Sequence, residues 1–184
     1  VLRHVTTLRQ LGRVIIAVDS SASMQLSDDQ GDKSTQSRFL RAENLLLRGT
    51  TPLLKKLAET QDVELVALRG MSTQRLWWYR EGGRDTSGDM PGSFELPANA
   101  PITNLDQTLR AALGPVTAGT ALVVLSDGQH NSTGSPEEFS TTLKATGTSI
   151  FTVGFGTEIP PADLSLLGIA APESVFSKEN FQGR

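Results

Sequence analysis

The chain reads as an α/β domain built on a doubly wound, mostly parallel sheet, with one antiparallel edge strand and helices on both faces. Three observations predict this. The apolar runs Val14–Val18 and Ala121–Leu125 show no polar alternation, as expected of strands covered on both faces. Segments of helical periodicity lie between the strand-like runs, and repeated alternation of strand and helix predicts right-handed crossovers. Val63–Leu68 is followed closely by Arg75–Tyr79, leaving no room for a crossover helix, so these two strands must be antiparallel.

Length and composition set the outer bounds. The 184 residues suit one domain with one substantial core. A hydrophobic content of 38% with 20% charged residues belongs to a globular chain rather than a disordered one. The net charge of -3 gives no reason to expect nucleic acid as a partner. No window supplies the run of roughly 18 apolar residues that a membrane helix needs, and no signal-peptide pattern opens the chain. Without cysteine there are no disulfides or thiolate metal sites, and two histidines, His4 and His130, argue against zinc. The chain begins without Met and ends at Gln182-Gly183-Arg184 with no obvious terminal element, as a piece of a longer protein would. Residues 1–12 read as an amino-terminal linker or helix and residues 13–184 as the domain.

In chain order, Leu2, Val5, Leu8 and Leu11 recur every third residue beside Arg3, His4 and Arg9. That fits a short helix or linker packed on the first strand, or a basic juxtamembrane helix. The first strand, Val14–Val18, ends in Asp19. The polar tract from Gln25 to Gln36 reads as a solvated loop, because Asp28-Asp29-Gln30-Gly31-Asp32 lacks the residue order of a calcium-binding EF-hand loop. Phe39, Leu40, Ala42 and Leu45 to Leu47 form a helical stripe, interrupted at Gly49 and Pro52 and resumed over Leu53–Thr60. Val63–Leu68 and Arg75–Tyr79 are the antiparallel pair, joined by Met71-Ser72-Thr73-Gln74. One of Trp77 and Trp78 is expected in the core and the other on the opposite face. Glu81 to Ile102 is a long Gly- and Pro-containing loop of a kind that is often functional or mobile.

Thr103-Asn104 opens a helix with Leu105, Leu109, Ala112 and Leu113 on its buried face, stopped by Gly114-Pro115. The strand after it runs into Ser126-Asp127-Gly128. Ser135-Pro136-Glu137-Glu138 combines a capping serine, a proline at the first helical position and a glutamate three residues after the cap, predicting a helix to about Ala145. Ser149–Phe155 is a further strand, Asp163–Leu167 a short helix, and Ser174–Phe176 a last strand.

Oxygen donors stand at three strand ends: Asp19, Ser21 and Ser23 on the first loop, Thr103 on the second, Asp127 on the third. In an open α/β sheet the loops at the carboxyl ends of the strands form the ligand crevice, so this fold would bring them together. Asp19 alone is open to three readings: a helix or turn cap, a nucleophile, or a metal ligand. Two carboxylates with several neutral hydroxyls suit a hard ion such as magnesium or manganese, at about 2.1 Å in octahedral oxygen coordination. Two aspartates just balance a divalent charge, so a carboxylate from a partner could take an open position. Three donor loops in order, each at a predicted element boundary, favour the ligand reading over a chance set of caps.

The segments Val14-Ile15-Ile16-Ala17-Val18-Asp19-Ser20-Ser21-Ala22-Ser23-Met24, Thr103-Asn104-Leu105 and Leu125-Ser126-Asp127-Gly128 resemble the three loops of a von Willebrand factor A (VWA) domain with a metal-ion-dependent adhesion site. The resemblance covers nearly the whole chain and implies a Rossmann-like VWA fold. It implies that Ser21, Ser23 and Thr103 bind the ion directly, with Asp19 and Asp127 binding it directly or through water. The ion would be magnesium, with manganese or calcium as alternatives. Ser126-Asp127-Gly128-Gln129-His130-Asn131 and Ala171-Pro172-Glu173-Ser174-Val175 are similar to A domains of bacterial membrane-anchored proteins. That likeness implies a parent tethered at the cell envelope.

His130 and Asn104 are candidates for a partner-binding rim, although His130 reads more readily as an exposed loop histidine. Asn131-Ser132-Thr133 fits a glycosylation acceptor pattern, which a bacterial-looking domain gives little weight. Gly154-Phe155-Gly156 lacks the third glycine of a dinucleotide fingerprint and reads as a turn.

The functional expectation is a noncatalytic, ion-dependent module for a protein ligand presenting Asp or Glu. An enzyme alternative is a metal-dependent phosphohydrolase with Asp19 as nucleophile. Enzymes of the haloacid dehalogenase type want a second aspartate two residues on, where this chain has Ser21. A third reading is a scaffold that keeps the fold while ion binding is dispensable.

Overall fold

A computed structural model of the chain describes residues 12–28, 36–80, 86–116 and 119–156. The basic stretch through Leu11, the acidic residues Asp29 and Asp32, the expected helix at Asp163–Leu167 and the expected strand at Ser174–Phe176 lie outside the described residues.

Five strands, β1 (Arg13–Asp19), β2 (Asp62–Arg69), β3 (Ser72–Tyr79), β4 (Thr120–Ser126) and β5 (Ser149–Gly154), form one sheet in the order β3-β2-β1-β4-β5. All neighbours are parallel except β2 and β3. Among the described residues four α-helices connect them: α1 (Arg38–Leu47) and α2 (Leu53–Ala58) between β1 and β2, α3 (Leu105–Leu113) before β4, and α4 (Pro136–Ala145) between β4 and β5. The architecture is therefore the predicted mostly parallel α/β sheet with one antiparallel pair and helices packed against it.

Alternation of side chains along β1 explains the layering. Ile16 and Val18 pack in one apolar cluster with Leu46 of α1, Leu54 of α2 and Trp77. Ile15 and Ala17 point the other way, into a second cluster with Leu105 and Leu109 of α3 and Phe139 and Leu143 of α4. Ile15 and Ile16 are both fully buried, each burial contributing about 1.5–3 kcal/mol. A strand buried on both faces cannot slip by one residue without exchanging two apolar sets, so β1 is held in register and its end is fixed.

The expected elements hold with shifted bounds. The strand expected from Arg75 begins at Ser72, because Thr73 and Gln74 continue the ladder opposite Leu68 and Ala67. The connection shrinks to Gly70-Met71, and Gly70 takes the positive φ of 63° that a tight turn needs. The helix expected to begin near Phe39 starts at Arg38, capped by Ser37, whose hydroxyl accepts from the Leu40 amide at 3.2 Å. The capping serine read at Ser135 accepts from the Glu138 amide at 3.2 Å, with Pro136 opening α4. Trp77 is buried and donates from Nε1 to the Gly88 carbonyl at 3.3 Å. Trp78 is half-buried, with the Arg75 guanidinium 5.0 Å from its ring centroid.

The described part of the long loop is anchored. Phe94, Ala98 and Ala100 are buried, and Glu43 of α1 accepts from the Phe94 amide at 2.8 Å. Among the described residues no helix is long and apolar enough to cross a membrane.

Candidate functional site

The register of the central strands places the predicted donors at one edge of the sheet. Val18 pairs with Leu125, so Asp19 ends β1 level with Ser126 at the end of β4, and Asp127 follows directly. On the other side Asp19 pairs with Leu68 of β2, and just beyond, Gly70 bridges in parallel to Thr103. Two of the loops thus leave β1 and β4 at this carboxyl edge, while the Thr103 segment, which follows the antiparallel β3, returns to the same edge beside the end of β2.

The first loop is locked from below. Ser20 turns its hydroxyl inward to donate to the Leu68 carbonyl at 2.7 Å, which leaves Asp19 and Ser21 to serve the edge. Ala100 of the long loop clamps the same segment: its carbonyl accepts from the Ala22 amide at 2.9 Å and its amide donates to the Ser20 carbonyl at 3.1 Å. The chain then makes a single 3-10 turn over Ala22–Gln25. This turn brings Ser23 back so that its Oγ lies 3.0 Å from Ser21 Oγ.

Asp19 is 1% exposed. Its Oδ1 accepts from the Ser21 amide at 2.9 Å and its Oδ2 from the Ser126 hydroxyl at 2.7 Å. Burial pushes the Asp19 carboxyl above its ordinary value; the hydrogen bonds from Ser126 and Ser21 oppose that shift, and the nearby Asp127 charge adds to it. Asp127 is also satisfied by the protein. Its Oδ2 accepts from Arg38 Nη1 at 3.0 Å and its Oδ1 from the Gln129 amide at 3.2 Å.

Thr103, buried at 5% exposure, is held by the residues after Asp127. The Thr103 amide donates to Asn131 Oδ1 at 2.6 Å, and the Asn131 amide donates back to the Thr103 carbonyl at 3.2 Å. On either side, His130 Nδ1 accepts from the Leu105 amide at 3.2 Å and Asn104 Nδ2 donates to the Ser132 hydroxyl at 3.2 Å. His130, Asn131 and Ser132 therefore clasp the start of α3 and fix the second loop against the third. Because Nδ1 is an acceptor, the neutral imidazole carries its proton on Nε2, and that buried atom has no hydrogen-bond partner among the described residues.

The proposed rim changes accordingly. Asn104 is 2% exposed, and its Oδ1 caps α3 by accepting from the Gln107 amide at 2.9 Å. With both ends of its side chain engaged, it supports the site from beneath instead of facing a partner. His130 is half-buried rather than exposed and gives the same support through Nδ1.

Three residues of consequence escaped the sequence reading. Ser126 sits in the recognised Ser-Asp-Gly segment, yet only Asp127 received a role; its hydroxyl links the Asp19 carboxylate to the Gly128 amide, from which it accepts at 3.0 Å. Asn131 was visible only as part of a glycosylation pattern. Arg38 gave no signal at all, because its partner Asp127 lies 89 residues away in sequence.

The donor chemistry can be tested against an ion. Among the described residues no group of three or more His, Cys, Asp or Glu could hold a metal, so any ion here must draw on hydroxyl oxygens. The Ser21 and Ser23 hydroxyls, 3.0 Å apart, share a hydrogen bond. Two hydroxyls held this close can both turn their lone pairs to one hard cation such as magnesium or manganese. With Asp19 bonded to Ser21, the set fits a small hard cation.

Comparison with known proteins agrees with this reading of the fold. Residues 103–183 match the family model described as von Willebrand factor type A domain. Among solved structures the chain is similar to proximal thread matrix protein 1 from the mussel byssus, with a TM-score of 0.51 at 16% identity over 78% of this chain. A second structure of the same mussel protein gives a TM-score of 0.48 at 16% identity over 80% of this chain. In both comparisons this chain spans 38% of the length of the mussel structure, and the likeness to the first is one of fold alone. No curated protein matches.

Proposed function

We propose that this chain is a VWA domain acting as a noncatalytic, divalent-ion-dependent binding module for a protein ligand that presents Asp or Glu. The observation that carries the reading is the cluster of Asp19, Ser21 and Ser23 at the end of a buried strand, with the two hydroxyls 3.0 Å apart and Asp19 bonded to the Ser21 amide. Asp19, Ser21, Ser23, Thr103 and Asp127 would hold the ion, magnesium before manganese or calcium. Once bound, it would supply positive charge and an open position for a carboxylate. The chain's own residues do the positioning: Ser20 and Ala100 fix the first loop, and the clasp of His130 to Ser132 fixes the second against the third.

A binding role suits the site better than phosphoryl transfer through Asp19. Ser21 stands two residues after Asp19, where phosphoryl transfer through Asp19 would require an acid. The sequence likeness to bacterial membrane-anchored A domains supports a parent tethered at the cell envelope. One observation favours a second reading, a scaffold whose ion is dispensable: all four oxygens of Asp19 and Asp127 have protein donors without any ion.

Magnesium titrated into the metal-free domain, followed by thermal melting, tests the proposal. A ligand of the folded state alone raises the melting temperature with concentration. We expect such a rise for wild type and none for Asp19→Ala. No rise in wild type, or an equal rise in both, would sink the ion-binding reading.

A further inference from the structure

We propose that Arg38 is a built-in counter-cation of this site: it competes with a divalent ion for Asp127 and thereby couples ion binding to the arrival of an acidic ligand. The inference rests on the ion-binding reading above and deepens it.

Arg38 is the first residue of α1 and is only 6% exposed. Its guanidinium spans two carboxylates. Nη1 lies 3.0 Å from Asp127 Oδ2, while Nε and Nη2 lie 2.8 and 2.7 Å from Asp28 Oδ1. Nη1 also points to the Ser23 carbonyl at 3.5 Å, so the cation borders two of the three donor loops. Asp28 anchors it from behind and shares its other oxygen with Arg41, 3.0 Å away. A fork of this kind holds two acids at once in fixed geometry, which a lysine could not do.

The charge count gives the consequence. Asp19 and Asp127 alone would be neutralised by a divalent ion, leaving nothing to draw in a carboxylate. Asp19, Asp127 and the Arg38 that touches Asp127 together carry -1, so a divalent ion takes them to +1 and a partner carboxylate returns them to neutrality. Arg38 therefore weakens the bare ion and strengthens the ternary complex. At this burial, charges a few ångströms apart are poorly screened by salt.

The test is calorimetric titration of magnesium into the metal-free domain, with and without acetate as the carboxylate probe. Removing the competitor in Arg38→Gln should tighten magnesium binding at least about tenfold and reduce the enhancement by acetate. Asp28→Asn frees Arg38 for Asp127 and should weaken magnesium binding at least about threefold. Arg41→Gln removes the same charge from a 43% exposed side chain that does not touch Asp127, and should change affinity less than about threefold.

Opposite signs for Arg38→Gln and Asp28→Asn support the proposal, since a merely structural role would move both the same way. Equal or weaker binding by folded Arg38→Gln overturns it, as does an Arg41→Gln effect as large as that of Arg38→Gln. Should Arg38→Gln fail to fold by circular dichroism, an Asp28→Asn affinity that does not fall overturns it. Binding seen only after Arg38→Gln, with none in wild type, defeats the ion-binding reading of this chain and this inference with it. If neither wild type nor Arg38→Gln binds magnesium, the ion-binding reading itself fails and takes this inference with it; normal binding in wild type with no change in the variants defeats the inference alone.

Discussion

Replacing Ser126 with alanine should destabilise the metal-free domain by about 2–4 kcal/mol at neutral pH. The hydroxyl of Ser126, which is 6% exposed, donates to buried Asp19 at 2.7 Å and accepts from the Gly128 amide at 3.0 Å. Serine to alanine removes one atom and leaves β4 packed as before, so the loss is confined to those two bonds. A hydrogen bond to a charged group is worth about 1.5–3 kcal/mol and a neutral one about 0.5–1.5 kcal/mol, which gives the total. For a domain of this size that is a fall of roughly 5–15 °C in melting temperature. The Ser126 bond lowers the Asp19 pKa, so the penalty must shrink as pH falls and Asp19 takes up its proton. Urea unfolding of wild type, Ser126→Ala, Asp19→Asn and the double variant measures this as a cycle. A destabilisation below about 0.5 kcal/mol would refute the reasoning, because the bond would then carry less than an ordinary neutral one. So would an undiminished effect in the Asp19→Asn background.

The clasp and the buried carboxylate give further expectations. Asn131→Ala removes the acceptor of the buried Thr103 amide; it should cost about 1–3 kcal/mol in urea unfolding and weaken magnesium binding by about tenfold in calorimetry, as lost support of a ligand does. The pH dependence follows from Asp19. Its folded-state pKa lies above the ordinary value of 3.8, so in the window between them the folded chain holds more protons than the unfolded chain. Metal-free stability should therefore decline as pH rises from the ordinary value through the raised one, and Asp19→Asn should flatten that part of the profile. Because a carboxylate must lose its proton to bind an ion, the magnesium-induced rise in melting temperature should grow through the same window. A magnesium shift that does not grow as pH rises from the ordinary carboxyl value of 3.8 would remove Asp19 from the ligand set.

Much of this protein is legible in its sequence because the signals are local. The runs Val14–Val18 and Ala121–Leu125 carry their two-sided burial in composition alone. The Ser135-Pro136 start of α4 and the Asn104 cap of α3 are decided within one helical turn. The spacing of Asp19, Ser21 and Ser23 is likewise set by five consecutive residues. The β3 boundary was less legible, since Thr73 and Gln74 have no intrinsic reason to be strand and become so only through pairing with β2. The long loop after β3 looked free in composition, yet Glu43 and Ser20, both distant in sequence, tie it down.

What the sequence determined by itself is the set of strands and the oxygen-bearing loops at their ends, because apolar periodicity and turn chemistry act over a few residues. What only the tertiary structure decided is how those loops are held and charged. Arg38 meets Asp127, Ser126 meets Asp19, and Asn131 meets Thr103 across 89, 107 and 28 residues. No local pattern encodes such pairs: they exist because β1 lies between β2 and β4 and so brings three chain segments to one edge. The reading of His130 and Asn104 turned on the same fact, since a side chain becomes surface or support only when the neighbouring loop is laid against it.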